Sequence, residues 1–308
     1  MRGSTTRRGL LRLRRLVPLA VVLALTALVV PPSAVRNAPA TLVKVESAHN
    51  VDVAKDVIWI LLLGSDAREG QPVLRSRADA IQLVGINTKA RSAVAIGLPR
   101  DSYVNIPGYG RNKINASMVF GGPQLMARSV GDMVGIRPDY VFTTSFWGFS
   151  RMVDRIGGIT VQSKYAFYDP LRPRGYRVGR NRLNGIQTLV FSRTRKAFPG
   201  GDFDRSANQQ RTLVGILKEV RSKSGRPGFM ENAVMSVLTN MDTPNVDPAE
   251  LYRLAHAAAL VNPAKFRTCV IGGGTGSVGG ASVVFPNISQ ARSIAQRTRN
   301  DAALEGSC

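Results

Sequence analysis

Short, uninterrupted apolar runs that alternate with helical patterns constrain the fold of this chain more than any other sequence feature. The run at 57–63 reads VIWILLL and ends at Gly64, which is typical of a strand buried on both faces of a helix-covered sheet. Similar runs follow at 80–86, 93–98, 140–143 and 159–161. Strands interleaved with helices indicate a layered α/β domain.

Helical periodicity predicts helices at 113–120, 123–134, 146–156, 185–193 and 203–221. Asn184 is positioned to cap the fourth of them. Further along the chain we predict helices at 229–238, at 248–260 and from residue 288, with strands near 266–271 and at 282–285. No internal repeat is evident, so the simplest interpretation is one folded domain over residues 55–308.

The amino terminus carries a targeting signal. Six arginines and no acidic residue precede an uncharged run at 16–30. We interpret 1–15 as a basic cytoplasmic segment, 16–35 as a transmembrane signal anchor and 36–54 as a linker, with the arginines held inside. The alternative is a cleaved signal peptide, with 38–40 (APA) as the cleavage site. Both interpretations place residues 55–308 outside the cytoplasm, and the anchor interpretation, which we prefer, keeps them at the cell membrane.

Charge and cysteine content also bear on the location and the partners. The formal net charge of +22 predicts an anionic partner, which the charge alone leaves open between nucleic acid, an anionic membrane surface and a phosphate-bearing substrate. Cys269 and Cys308 are the only cysteines. Outside the cytoplasm such a pair can form a disulfide, the alternative being two free thiols.

Several enzyme classes are excluded by what the sequence lacks. His49 and His256 are the only histidines, which argues against a Ser-His-Asp or Cys-His hydrolase. No GxxxxGK[ST] loop is present, which argues against a P-loop nucleotide triphosphatase. The glycine-rich stretch 274–279 matches GxGxxG, but a strand pattern follows it where a dinucleotide site needs a helix. We therefore interpret it as a flexible turn.

Aspartates and arginines gather at the predicted element ends. In an α/β sheet the loops outside the strand ends form the binding crevice, so these side chains are expected to converge. Arginine forks match phosphate oxygens, and carboxylates beside them suit a divalent cation bound between acid and phosphate. The competing interpretation is ordinary surface ion pairs. The residues are Asp66, Arg77, Asp79, Arg100, Asp101, Arg193, Arg195, Arg205 and Gln209.

Seven segments carry a family resemblance. They read ILLLGSDAR, RSRADAIQLVGIN, AIGLPRDSYVNIPG, NKINASMVFGG, GGITV, LNGIQTLVFSRTR and GDFDRSANQQR, in this order, and span about 57–220. In this respect the chain resembles the LytR-CpsA-Psr family. The resemblance implies a three-layer α/β/α domain with a central mixed sheet, preceded by one amino-terminal membrane helix. It also implies an apolar groove for a polyprenyl chain.

The resemblance further implies roles for individual residues. Asp66 and Asp79 would face Mg²⁺, for which Mn²⁺ is a substitute. The residues expected to carry catalysis are Asp79, Arg100, Asp101 and Arg195. Those expected to hold the pyrophosphate are Arg77, Arg100, Lys113, Arg193, Arg195, Arg205 and Gln209. The chain departs from the family pattern at Ala78 and Ala80, where Ser and Thr are usual, and at Asn208, where arginine is frequent.

The implied activity is transfer of a glycopolymer, of the teichoic acid, capsule or arabinogalactan type, from a polyprenyl-pyrophosphate carrier to peptidoglycan. Two alternatives stay open at this stage. One is hydrolysis of the same lipid, and the other is a membrane-anchored regulator that binds the carrier without catalysis. A nucleic-acid-binding regulator is disfavoured, because the amino-terminal topology keeps the basic domain away from nucleic acid and no helix-turn-helix pattern appears.

Overall fold

The computed structural model describes residues 39–46, 56–68, 70–232, 235, 241–306 and 308. The predicted cytoplasmic segment 1–15 and anchor 16–35 lie outside these residues, as does part of the predicted linker 36–54. The described part of that linker is not a spacer, because 40–44 form a strand that pairs with 140–144 in the central sheet. Within the described part of the chain, no helix combines the length and apolar character needed to cross a membrane.

The strands are, in chain order, β1 Ala40–Lys44, β2 Val57–Ser65, β3 Ala78–Asn87, β4 Ser92–Gly97, β5 Tyr103–Ile106, β6 Gly110–Lys113, β7 Tyr140–Ser145, β8 Ile159–Ser163, β9 Phe167–Asp169, β10 Arg172–Tyr176, β11 Gly179–Leu183, β12 Met241–Asp242, β13 Phe266–Val270, β14 Gly273–Val278 and β15 Ala281–Pro286. The helices are α1 Ser117–Val134, α2 Phe146–Arg155, α3 Gly185–Arg193, α4 Asp202–Lys223, α5 Pro248–Leu260 and α6 Ile288–Thr298. Single 3₁₀ turns lie at Val73–Arg75, Ile114–Ala116 and Pro263–Lys265.

A seven-stranded sheet in the order β12-β1-β7-β2-β3-β4-β13 forms the centre of the domain. Strand β2 pairs in parallel with β7 and antiparallel with β3. Strand β4 is antiparallel to β3 and parallel to β13. The predicted central mixed sheet is therefore confirmed. The remaining strands form the pairs β5–β6, β8–β11, β9–β10 and β14–β15.

Helices cover both faces of this sheet. Successive side chains of a strand point to opposite faces, and β3 illustrates the result. Leu83 joins an apolar cluster with Val130 of α1 and Ile294 of α6. Its neighbour Val84 joins a different cluster, against which Leu213 of α4 packs. Burial on both sides explains why the strand sequences are apolar without alternation.

Side-chain caps set the starts of several helices. The Asn184 side chain accepts a hydrogen bond from the Gln187 backbone N–H, and the Gln187 side chain accepts one from the Asn184 backbone N–H. Helix α3 therefore begins with the predicted cap, in the form of a capping box. Ser145, Asp247 and Asn287 cap α2, α5 and α6 in the same manner, each accepting from a backbone N–H.

Three local predictions were wrong. Lys113 ends strand β6 and does not begin a helix, because Tyr103–Lys113 pairing makes a hairpin of the segment. The helices predicted at 113–120 and 123–134 form one element, kinked at Gly121 and Gly122, where Gly122 has a φ of 64°. The glycine-rich stretch is not a flexible turn: most of it forms β14, which is stabilised by pairing with β15. The helix predicted at 229–238 falls partly outside the described residues.

The carboxyl terminus is tied to the sheet edge. Cys269 of β13 and Cys308 form a disulfide whose Cα atoms lie 5.5 Å apart, a normal separation for such a bridge.

Candidate functional site

Asp79 occupies an irregularity at the end of the β2–β3 pair. Gly64 pairs with Ala80 and Ser65 pairs with Ala78, so Asp79 is the extra residue of a bulge. A bulge re-aims the side chain of the unpaired residue. An aspartate is thereby presented beside the end of the neighbouring strand β4.

The residues that follow β4 face this aspartate. The Arg100 guanidinium donates a hydrogen bond to the Asp79 carboxylate, and its Nε lies 3.7 Å from the Asp101 carboxylate. Lys113 Nζ is 3.1 Å from Asp101, and Arg195 Nη1 is 3.9 Å from it. Asp101 therefore joins three cations from three separate chain segments. We call these five residues the Asp101 cluster: Asp79, Arg100, Asp101, Lys113 and Arg195.

Helix α4 adds a further ion pair, which the sequence analysis did not predict. Asp202 lies in its first turn, and its carboxylate is 2.5 Å from Arg205 Nη2. Both side chains are largely buried. Sequence reasoning selected Arg205 and missed Asp202, although the DxxR spacing, which places both residues on one helix face, was a usable signal.

Burial and neighbouring charges shift the pKa values of these groups. Burial raises the pKa of Asp202, against the attraction of Arg205, and the negative charge of Asp101 adds to the rise. Burial lowers the pKa of Arg205, although Asp202 opposes this shift. Burial alone would lower the pKa of Arg100, but Asp79, together with Asp101 and Asp202, outweighs burial and the pKa is raised. The carboxylates and guanidiniums of the cluster and of α4 thus form one electrostatic unit.

Four of the predicted residues, Asp66, Arg77, Arg193 and Gln209, form no ion pair with this unit among the described residues. The Asp66 backbone N–H donates to the Arg77 carbonyl at 3.0 Å, and the Arg77 side chain is exposed. The Arg193 guanidinium carbon lies 4.0 Å from the Phe146 ring centroid, a cation–π contact. Gln209 is buried and accepts a hydrogen bond from Gln82 Nε2 at 3.0 Å.

A layer of buried amides beneath the cluster holds α4 against the sheet. Gln82 Nε2 donates to Ser206 Oγ at 3.0 Å, and Gln210 Nε2 donates to the Cys269 carbonyl at 2.6 Å. Gly97 permits this approach, because a Cβ at that position would lie 2.4 Å from Ser206 Oγ. Gln82 is a polar residue within a strand buried on both faces, which was the available sequence signal for this layer.

The LytR_cpsA_psr family model matches residues 32–300 of the chain. The chain belongs to the LytR_cpsA_psr family. Curated relatives include the polyisoprenyl-teichoic acid–peptidoglycan teichoic acid transferase TagU of Bacillus licheniformis, which is 35% identical over 206 residues, covering 64% of each chain. TagT of Bacillus subtilis is 35% identical over 193 residues, covering 60% of this chain and 59% of the relative. The chain therefore matches somewhat less than two thirds of the length of these relatives.

Solved structures of family members share the fold. TagV of B. subtilis superposes with a TM-score of 0.64 at 23% identity, covering 81% of this chain and 99% of that one. TagT bound to LIIa-WTA gives a TM-score of 0.65 at 24% identity, covering 84% and 96%. The LytR-CPS2A-psr family protein YwtF (TagT) with bound octaprenyl pyrophosphate lipid gives 0.62 at 23% identity, covering 84% and 95%.

In this LytR_cpsA_psr protein, the three departures from the family pattern are accommodated inside the fold. Ala78 is 1% exposed. Ala80 lies opposite Gly64 and close to it, since a Cβ added at Gly64 would be only 3.1 Å from the Ala80 Cβ. Asn208 is also 1% exposed, and its Oδ1 accepts a hydrogen bond from Arg211 Nη1 at 2.7 Å. The asparagine therefore serves the internal packing of α4.

Proposed function

We propose that this LytR_cpsA_psr protein transfers a glycopolymer from a polyprenyl-pyrophosphate carrier to peptidoglycan. The observation that carries the proposal is the Asp101 cluster together with the Asp202–Arg205 pair, which gather cations at one end of the central sheet. The names of the TagU and TagT relatives favour a teichoic acid type of polymer over the capsule or arabinogalactan type.

The charge balance of the site suits a pyrophosphate. Arg100, Lys113, Arg195 and Arg205 supply four positive charges, against the three carboxylates of Asp79, Asp101 and Asp202. Guanidinium groups bind phosphate oxygens through two parallel hydrogen bonds. The carboxylates hold the cations in place before substrate binds, so little ordering remains to be done when the phosphates arrive.

The proposed reaction is a direct transfer without a covalent enzyme intermediate. A hydroxyl oxygen of peptidoglycan attacks the phosphorus atom that carries the polymer, and the bond from this phosphorus to the bridging oxygen breaks. Polyprenyl phosphate leaves with the bonding electrons, and a carboxylate of the site accepts the hydroxyl proton. Arg100 and Arg195 stabilise the negative charge that develops on the phosphates.

Asp66 and Asp79 fit a Mg²⁺ ion, or Mn²⁺ in its place. Asp79 is the extra residue of the β2–β3 bulge, and Asp66 directly follows Ser65 at the same end of this strand pair. Among the described residues no group of three or more His, Cys, Asp and Glu side chains gathers as a metal cage. Mg²⁺ typically binds one or two carboxylates and completes its shell with water and substrate phosphates. When bound, the ion would neutralise phosphate charge.

We further propose that the folded domain lies outside the cell membrane, attached by the segment at 16–35. The arginines of 1–15 support this orientation, and so does the disulfide between Cys269 and Cys308, because disulfides persist in oxidising compartments. Both partners in the proposed reaction, the lipid carrier and peptidoglycan, are found there.

A reconstituted transfer assay tests the function. The purified chain is incubated with polyprenyl-pyrophosphate-linked oligosaccharide, Mg²⁺ and a peptidoglycan fragment, and products are resolved by mass spectrometry. We expect a phosphodiester-linked product from the native chain and at least a roughly 100-fold slower reaction from Asp79→Ala, because Arg100 loses its partner. Free oligosaccharide phosphate as the sole product would identify a hydrolase. Carrier binding without any product would identify a non-catalytic regulator.

Arg195→Ala is expected to separate catalysis from folding. The Arg195 side chain is 42% exposed and lies 3.9 Å from Asp101, so its loss should change the free energy of unfolding by less than about 1 kcal/mol. We expect kcat/KM for transfer to fall by about 10²-fold or more, because a phosphate-facing arginine is removed. Arg128→Ala, at an exposed position of α1, is the control. Full transfer activity of Arg195→Ala would rule out this role.

A further inference from the structure

The segment at 164–183, which contains β9, β10 and β11, is strongly basic and carries exposed apolar side chains. It contains six arginine and lysine residues and one acidic residue, Asp169. The Asp169 carboxylate accepts a hydrogen bond from the Leu171 backbone and so shapes the turn between β9 and β10. We refer to this segment as the basic hairpin.

The fold itself uses some of these cations. Arg172 donates to the Gly175 carbonyl at 2.7 Å and to Gln187 Oε1 at 3.0 Å. Arg182 pairs with Glu219 at 2.6 Å. Arg174, Arg177 and Arg180 are exposed, and their side chains form no ion pair within the described part of the chain. Three positive charges are thus left available to a partner.

Three large apolar side chains of the same segment are also exposed. Tyr168 is 69% exposed, Leu171 57% and Val178 66%. Leu171 lies in the turn before β10, and Val178 lies in the turn after it, next to Arg177. A five-residue strand separates the two turns, so they lie roughly 15 Å apart at the usual rise of a strand. Contact points this far apart match a broad surface better than a pocket.

We propose that the basic hairpin docks this protein onto an anionic lipid surface. Arginines near such a surface are attracted by the negative headgroups, and neighbouring apolar side chains enter the boundary between headgroups and acyl chains. Aromatic side chains such as that of Tyr168 are favoured at this depth. A soluble polyanion would neutralise the arginines equally well but would leave Tyr168, Leu171 and Val178 in water. The exposed apolar side chains therefore favour the lipid surface.

The basic hairpin is mechanically connected to the candidate site. The Tyr165 ring, at its start, stacks on Phe198 with the centroids 5.3 Å apart, and Phe167 of β9 contacts the same ring edge-on at 5.1 Å. Phe198 lies in the loop between α3 and α4, and its backbone N–H donates to the Arg195 carbonyl at 3.1 Å. If the proposed function holds, docking would position the Asp101 cluster close to the surface that carries the lipid pyrophosphate.

Fluorescence at the hairpin tests the docking. Val178→Cys is labelled with an environment-sensitive dye in the full chain, whose two native cysteines are joined in the disulfide. The chain is reconstituted with phosphatidylcholine vesicles that contain or lack phosphatidylglycerol, both with a spin-labelled lipid as quencher. We expect a blue shift and at least twofold stronger quenching with phosphatidylglycerol. The same dye at Val278→Cys, in the uncharged β14–β15 hairpin, should not respond.

Two further measurements make the outcome decisive. Arg174→Gln, Arg177→Gln and Arg180→Gln combined should reduce the quenching with phosphatidylglycerol to the level seen without it, since the attraction comes from these charges. Failure of the dye to respond to phosphatidylglycerol would overturn the proposal. The labelled chain is also mixed with soluble polyglycerol phosphate. A dye response to this polymer alone would overturn the docking proposal in favour of a polymer-binding site. Transfer activity in detergent is measured separately, so loss of docking is distinguishable from failure of the proposed function.

Discussion

Asp101→Asn is expected to lower kcat for transfer by about 10²-fold while leaving KM for the lipid substrate unchanged or lower. Among the residues that the structure describes, Asp101 is the one carboxylate that contacts all three of Arg100, Lys113 and Arg195. The amide keeps the shape of the side chain but removes its negative charge. The three cations then lose the carboxylate that they share, and they repel one another. Phosphate binding gains from the missing negative charge, whereas the alignment of the cations on the transition state is lost.

The split between kcat and KM distinguishes this role from a structural one. A merely misfolded variant would lose active enzyme without lowering KM, and its thermal midpoint would fall. Asp132→Asn, an identical change at an exposed position of α1, should retain native kinetics. Steady-state kinetics on all three proteins, with thermal unfolding monitored by circular dichroism, make the comparison. A rise in KM with an unchanged kcat for Asp101→Asn would show that Asp101 merely assists binding.

The features of this fold that could be predicted from sequence are those encoded by local periodicity. The apolar run of β2 and the cap at Asn184 are both visible within short windows. Strands β6 and β14 were missed because their stability comes from hairpin partners, and their own sequences are polar or rich in glycine. Pairing between strands is a non-local property, which no window along the chain contains.

In the candidate site, too, the local sequence predicts which residues take part but not how they are arranged. Asp79, Arg100 and Asp101 were selected because they stand at strand ends, where an α/β fold places its ligands. Their mutual geometry depends on the bulge that shifts Asp79 out of register, and a bulge has no signature in the residues themselves. Gln209 and Arg205 were both expected to face a ligand. That prediction did not include the hydrogen bond that Gln209 accepts from Gln82, which forms because α4 lies close enough to β3 for buried amides to pair.

Removal of the disulfide is expected to cause the largest loss of stability of any change considered. Cys269 and Cys308 are separated by 39 residues, and closing a loop of this length is worth about 4 kcal/mol in the free energy of unfolding. The bridge also secures a tail that packs on the core: the Trp59 indole donates to the Arg299 carbonyl at 3.2 Å, and Leu304 is buried. Cys269→Ala with Cys308→Ala should therefore shift the urea midpoint strongly downward.

The position of the disulfide in the fold determines whether its removal should also affect transfer activity. Cys269 belongs to β13, and its carbonyl accepts the hydrogen bond from Gln210 of α4, so molecules in which β13 unfolds also lose the amide layer beneath the Asp101 cluster. Cys308→Ala alone should match the double variant, because it opens the same loop. At temperatures where the variant stays folded, its transfer rate per folded molecule should remain near native, since neither cysteine touches the cluster. Equal urea midpoints for the variant and the native chain would mean that noncovalent packing of the tail suffices.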